Sequence, residues 1–181
     1  WSIEASGMVH YFIVEEDNVV IVSRDGWVKR QKDVKDLAAT RLREGDAVLA
    51  VLPGSTRSTA VFFTNFGAAY SARIADLPAS TGYGEPIQRL FKFRDGERVI
   101  AAFSLDPRAT PGIEPKKEGD VPRTHAVAVT SDGYSLRFGF QSFVEPSTRA
   151  GGRRSGGRRE DRRERNHYRR DGSGQGDVVQ D

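Results

Sequence analysis

The chain has 181 residues, 37% of them hydrophobic, with 28 Lys and Arg against 25 Asp and Glu. That length suits one domain with a tail, the absence of cysteine excludes a disulfide framework or a thiolate metal site, and no apolar run approaches the roughly 18 residues that span a bilayer. The formal charge of +3 is unevenly placed: residues 149–181 hold ten Arg against six acids, while residues 1–148 hold eighteen basic and nineteen acidic side chains. A near-neutral body with a basic tail, cytoplasmic by default, is the expectation.

Residues 1–11 carry no clear pattern and read as a leader. From Phe12 the signal is strand-like: Phe12-Ile13-Val14, an acidic turn at 15–18, then Val19–Val22. Ser23-Arg24-Asp25-Gly26 predicts a tight hairpin connection, because Gly26 supplies the positive φ such turns need. Trp27 and Val28 open the return strand. Residues 33–40 read as a helical turn or a loop, and Ala47–Leu52 as a strand closed by Pro53-Gly54. A second programme follows: strand Ala60–Thr64, turn Asn65-Phe66-Gly67, return strand Ala68–Ile74, a Gly-bearing loop over 80–86, and a strand Val99–Leu105. Residues 106–124 hold four Pro and two Gly and read as an exposed insertion. A third hairpin, turning at Gly133, covers 125–148, and 149–181 is Arg/Gly-rich with almost nothing to bury, the composition of a disordered tail.

Two elements therefore recur in the same order. One is the strand, Gly turn and return strand at Gly26, Gly67 and Gly133. The other is the Gly-acid segment Leu42–Ala50, matched by Phe93–Ala101. Ordered recurrence every 40 to 50 residues predicts propeller-like blades, about 12–53, 54–105 and 125–148, rather than one β-sandwich.

The segments Phe12–Arg30, Val61–Tyr70 and Leu77–Ile87, together with Thr130–Tyr134 and Ser147–Gly151, resemble the C-terminal domain of bacterial type IIA topoisomerase A subunits, those of DNA gyrase and of topoisomerase IV. The resemblance covers about residues 12–152. It implies an all-β fold of β-pinwheel blades, here about two complete and one partial in an open arc. It also implies a role in binding and bending duplex DNA for a catalytic core outside this chain. The implied partners are duplex DNA, the ATPase B subunit and the rest of the A subunit, with no membrane. The parent enzyme would use ATP and Mg²⁺, while this chain alone would need no cofactor and catalyse nothing. Where the gyrase protein carries a Gln-Arg-Arg-Gly-Gly-Lys-Gly box, this chain reads Leu37–Gly45 without it, which leans toward topoisomerase IV or an atypical gyrase. The chain reads as a fragment.

The residues expected to touch DNA are Lys29, Arg30, Lys32, Lys35, Arg41 and Arg43 after the first hairpin, with Arg73, Arg89 and Arg137 in later units. Cations there would replace condensed counterions on phosphates. In the tail, Arg153, Arg154, Arg158 and Arg159 are expected to contact nucleic acid through charge. Against these stands the ordinary reading of solvated loops compensated by Asp33, Asp36 and Glu44. Trp27, Phe66, Tyr70 and Tyr134 flank the turns and are expected to pack in blade cores or between blades rather than to stack on bases. His10, His125 and His167 lack ligand spacing, so no metal site is expected. An alternative function is a propeller-type protein-interaction module whose basic tail alone binds nucleic acid.

Overall fold

The computed structural model describes residues 14–113 and 121–147. Within them lie nine strands and three single-turn 3-10 helices. The strands are β1 (Asp17–Ser23), β2 (Trp27–Gln31), β3 (Val48–Ser55), β4 (Thr59–Thr64), β5 (Ala69–Arg73), β6 (Glu85–Pro86), β7 (Val99–Ser104), β8 (His125–Val129) and β9 (Ser135–Gly139). They form three antiparallel sheets of order β3-β1-β2-β6, β5-β4-β7 and β8-β9.

The three hairpins are copies. Gly26, Gly67 and Gly133 have φ of 80°, 70° and 85°, the left-handed region where a Cβ is penalised. The ladder slips at equivalent places, between Val22 and Ser23 and between Phe63 and Thr64, so each of these first strands carries the same bulge against its third strand. The Gly-acid segments close on the turns alike: Arg24 N donates to the Ala47 carbonyl at 2.8 Å, and Asn65 N to the Arg98 carbonyl at 3.1 Å.

The sheets stack because β4 is apolar on both faces. Ala60 and Phe62 share one core with Val20, Val22, Val28 and Leu52 of the first sheet and with Ala72, Ile74 and Ala102. The alternate residues Val61 and Phe63 join a second core with Leu105, Ala126, Phe140 and Phe143. Period-two alternation thus builds a stack of blades rather than a sandwich. Rings order both cores: Phe91 lies 5.9 Å from Phe62 and 5.1 Å from Tyr70, and Phe143 meets Phe63 edge-on at 5.3 Å.

Strand exchange joins the first two units. β6 belongs to the second unit by sequence, yet pairs with β2 through Trp27↔Pro86 and Val28↔Glu85. Just before it, Arg30 and Ala79 form a parallel bridge. The third unit starts the same contact on the second sheet, where Ser147 N donates to the Ser71 carbonyl at 2.8 Å.

Several expectations need adjusting. β3 does not stop at Pro53-Gly54 but runs through both to Ser55. It is an edge strand, where a missing N–H is tolerated, and a Cβ on Gly54 would lie 2.8 Å from Ile74 Cδ1. Of the segment read as an exposed insertion, Asp106 and Ile113 are buried while 107–109, 111, 121 and 123 are exposed, and 114–120 lie outside the described residues. Phe66 and Tyr134 do not pack between blades: they are 50% and 74% exposed, at the tips of their hairpins. Phe12, Ile13 and the tail from residue 148 lie outside the described residues. Among those described, no helix is long and apolar enough to cross a membrane.

Candidate nucleic-acid interface

The cations predicted around the first hairpin divide by register. Lys29 lies opposite Ile21 on β1 and is 1% exposed. Its ammonium donates to the carbonyls of Arg41 and Gly82, each at 2.7 Å. Burial, with the nearby Arg41 charge adding to it, pushes its pKa down from the ordinary lysine value. Such an interior group makes no contact with an outside phosphate. Arg30 is half-buried, donating through Nε to the Leu77 carbonyl at 2.8 Å and through a terminal nitrogen to Asn18 Oδ1 at 3.4 Å.

The others face solvent. Lys35, Arg41, Arg43 and Arg73 are exposed, and the Arg43 guanidinium sits over the Trp27 ring, 4.9 Å from its centroid. Two exposed cations are already paired, Lys32 with Glu16 at 3.0 Å and Arg89 with Glu85 at 3.4 Å. Arg137 is exposed in the third unit, where its guanidinium lies 3.3 Å from His125 Nδ1. Lys29 thus ties the Arg41 main chain to the 80–84 loop, Arg43 lies over Trp27 of β2, and Arg73 and Arg137 belong to other sheets. Arg153, Arg154, Arg158 and Arg159 fall outside the described residues.

Sequence reasoning missed two polar constellations. Glu97, 5% exposed, accepts from Arg94 N at 2.9 Å, Thr64 Oγ1 at 2.8 Å and Tyr70 Oη at 3.1 Å. The bond from the Arg94 amide, offset in part by burial and reinforced by those hydroxyls, holds its carboxyl below the usual glutamate range. The same burial, with Glu97 beside it, raises the Tyr70 phenol. The second is Asp106, 2% exposed, which accepts from Ser55 N at 2.7 Å and Ser58 Oγ at 3.0 Å. Arg108 reaches from Asp106 (2.9 Å) to Asp17 of β1 (2.7 Å), tying the two units together. The signal for Glu97 was present in the repeat, since Asp46 at the equivalent place accepts from the Asp25 amide at 3.1 Å. No group of three or more metal-ligating side chains occurs among the described residues.

Comparison with known proteins gives a consistent picture. No family model matches the chain. The A subunit of DNA gyrase from Streptococcus pyogenes serotype M1 is 30% identical over 126 residues, covering 62% of this chain and 15% of that protein. Its counterpart in the gyrase of Haloquadratum walsbyi is 28% identical over 78% of this chain and 17% of its own length. The A subunit of DNA topoisomerase 4 from Caulobacter vibrioides is 26% identical over 56% of the chain and 13% of its own length. This chain therefore spans only a small part of those relatives. Among solved structures, the E. coli ParC C-terminal domain superposes with a TM-score of 0.54 at 20% identity, covering 72% of this chain and 48% of that one. The relatives of this chain are the A subunits of gyrase and topoisomerase IV, and its fold is the β-pinwheel of their C-terminal domains.

Proposed function

We propose that this chain is a DNA-binding and DNA-bending element of a type IIA topoisomerase A subunit, presenting duplex to a catalytic core carried elsewhere in the enzyme. The observation that carries the reading is the strand-exchanged stack of blades in a chain whose relatives are topoisomerase A subunits. Exchange of β6 and the shared cores tie the stacked sheets together, and the reading takes that stack as the platform for a bent duplex. Bending a short site by 40–90° costs of order 1–6 kcal/mol, so the platform must hold phosphates at several points. Lys35, Arg41, Arg43, Arg73 and Arg137 are the exposed cations proposed to do so. Such contacts read backbone rather than sequence. ATP, Mg²⁺ and the ATPase B subunit belong to the whole enzyme in this proposal.

Gel-shift titration on linear and supercoiled duplex across a salt series tests it. Each phosphate neutralised contributes about 0.9 to the fall of log affinity with log salt, so several contacts predict a slope steeper than about −3. A slope shallower by about 2.7 is expected in the triple variant Lys35→Gln, Arg43→Gln, Arg73→Gln. An unchanged slope refutes the rim assignment. The ion pairs that occupy Lys32 and Arg89 favour a second reading, a protein-interaction module with a nucleic-acid-binding tail. Under it, deleting residues 149–181 abolishes DNA binding entirely.

A further inference from the structure

Three consecutive side chains of β2 reach toward one short segment of the second unit. Lys29 Nζ donates to the Gly82 carbonyl, Arg30 Nε to that of Leu77 and Gln31 Nε2 to that of Ser80, at 2.7, 2.8 and 2.9 Å. The main chain adds Arg30 N to the Pro78 carbonyl and Ser80 N to the Arg30 carbonyl. The loop then lies so close on β2 that a Cβ on Gly84 would run into the Val28 carbonyl oxygen. Lys29 does one thing more: its ammonium also holds the Arg41 carbonyl, so a single group gathers both rim loops.

Its charge is not neutralised by this. Both acceptors are neutral carbonyls, and among the described ion pairs none involves Lys29 or Arg41. A buried cation without a counter-charge is costly, and salt screens it less than an exposed one. The depressed lysine pKa has the Arg41 charge as its second cause, which places the two cations within each other's field. The two carbonyls that Lys29 holds belong to Arg41 and to Gly82, and Thr81 and Tyr83 flank Gly82. Arg41, Thr81 and Tyr83 are all exposed, Tyr83 at 54%, and carry groups that suit a phosphate, a guanidinium, a hydroxyl and a phenol.

We propose that Arg41, Thr81 and Tyr83 form an anion subsite for one phosphate of the duplex backbone, with Lys29 beneath as its fixed positive charge and as the positioning residue of both loops. The proposal rests on the DNA-binding reading above and says where one contact is made. It also recasts Lys29 from surface ligand to interior support.

The test is fluorescence anisotropy on a short duplex over a salt series, with amide NMR shifts on the same complex, using the full chain. Arg41→Gln is expected to lower the steepness of the salt dependence by about 0.9. Lys29→Met, which keeps the volume and removes the charge, is expected to weaken binding about tenfold and to shift the Ser80 and Gly82 amides in the free protein. Should Lys29→Met fail to fold, Arg41→Gln with Thr81→Ala, both at exposed positions, carries the test alone. Duplex binding that leaves the Thr81–Gly84 amides unmoved, with an unchanged slope in Arg41→Gln, overturns the subsite and leaves the DNA-binding reading standing. A wild-type chain that binds no duplex at low salt overturns both.

Discussion

Asp106 offers the sharpest test of how the units are held together. Replacing it with Ala removes the acceptor of Ser55 N, Ser58 Oγ and the Arg108 main-chain and guanidinium groups, at 2.7 to 3.0 Å. Ser55 is itself 5% exposed, so its amide is orphaned away from water, which costs about 1–3 kcal/mol. The Arg108 side chain is 62% exposed and rehydrates freely, so it adds little. A total of about 1–3 kcal/mol follows, and at roughly 4 °C per kcal/mol for a domain of this size Tm falls by about 4–12 °C. Asp106→Asn keeps the shape and loses the charge, for about half that cost.

The pH dependence supplies the refutation. Bonds from Arg108 above all, partly offset by burial and reinforced by Ser55 and Ser58, hold the Asp106 carboxyl well below the usual carboxylate range in the folded state. A depressed folded pKa means stability present above the unfolded value, about 3.9, and lost as pH falls below it toward the folded value. Urea titrations of wild type and Asp106→Asn, followed by far-UV circular dichroism, are therefore expected to differ by a constant amount from pH 7 to about pH 5. The gap then shrinks as the pH drops below about 4. Glu97 is depressed too, but it is present in both proteins and cancels in the difference. A gap as large at pH 3 as at pH 7 refutes the electrostatic account of this junction.

Three further outcomes are expected. Glu97→Gln leaves the charge-assisted bonds from Thr64, Tyr70 and Arg94 weakened or mismatched, lowering stability by about 1–3 kcal/mol in chemical denaturation. Gly84→Ala, at φ 85° and with its Cβ driven into backbone, costs about 2–4 kcal/mol, whereas Gly45→Ala, at φ 78° with nothing within 4 Å, costs about 1; equal losses would show that the loop does not rest on β2 as described. The third sheet exposes Val127 and Val129 at 63% and 70%, and β8 pairs only with β9 among the described residues. The chain should therefore self-associate, and Val127→Lys with Val129→Lys should render sedimentation independent of concentration while changing stability by less than about 0.5 kcal/mol per site.

The hairpins were legible because their physics is local: alternating apolar residues and a glycine at each left-handed turn. Gly26, Gly67 and Gly133 announce themselves in any window of twelve residues. What escaped was set by contacts distant in sequence. β6 is two residues long and pairs with a strand nearly sixty residues earlier, so no local pattern marks it. Pro53-Gly54 reads as a turn in isolation, and only its edge position and close packing against Ile74 explain a strand there. Arg108 lies in a Pro- and Gly-rich stretch, yet its partner Asp106 is buried. Lys29 misled because lysines are usually solvated. The corrective signal lay in the second copy, where the same hairpin position is Tyr70, a large ring that would not stand in solvent at every repeat.

That position shows how copied units diverge in what they do. Counted from the turn glycine, Lys29, Tyr70 and Leu136 are equivalent, and each precedes the rim loop of its own unit. In the second unit Tyr70 holds that loop by stacking 5.1 Å from both Phe91 and Phe93 and by its bond to Glu97. In the first unit Lys29 does the same work with two hydrogen bonds to main-chain carbonyls and no ring at all. In the third, Leu136 is 64% exposed, and the residues that would follow as its rim loop lie beyond 147. A docking slot needs only a side chain long enough to reach the loop. Filling it with an aromatic group adds no cation to the rim above, whereas filling it with an ammonium makes a contact of the same kind and puts a positive charge under exposed hydroxyls. The scaffold alone does not require the charged solution, since the neighbouring unit is held without it. The charge at Lys29 is thus better explained by what lies outside the loop than by what lies beneath it.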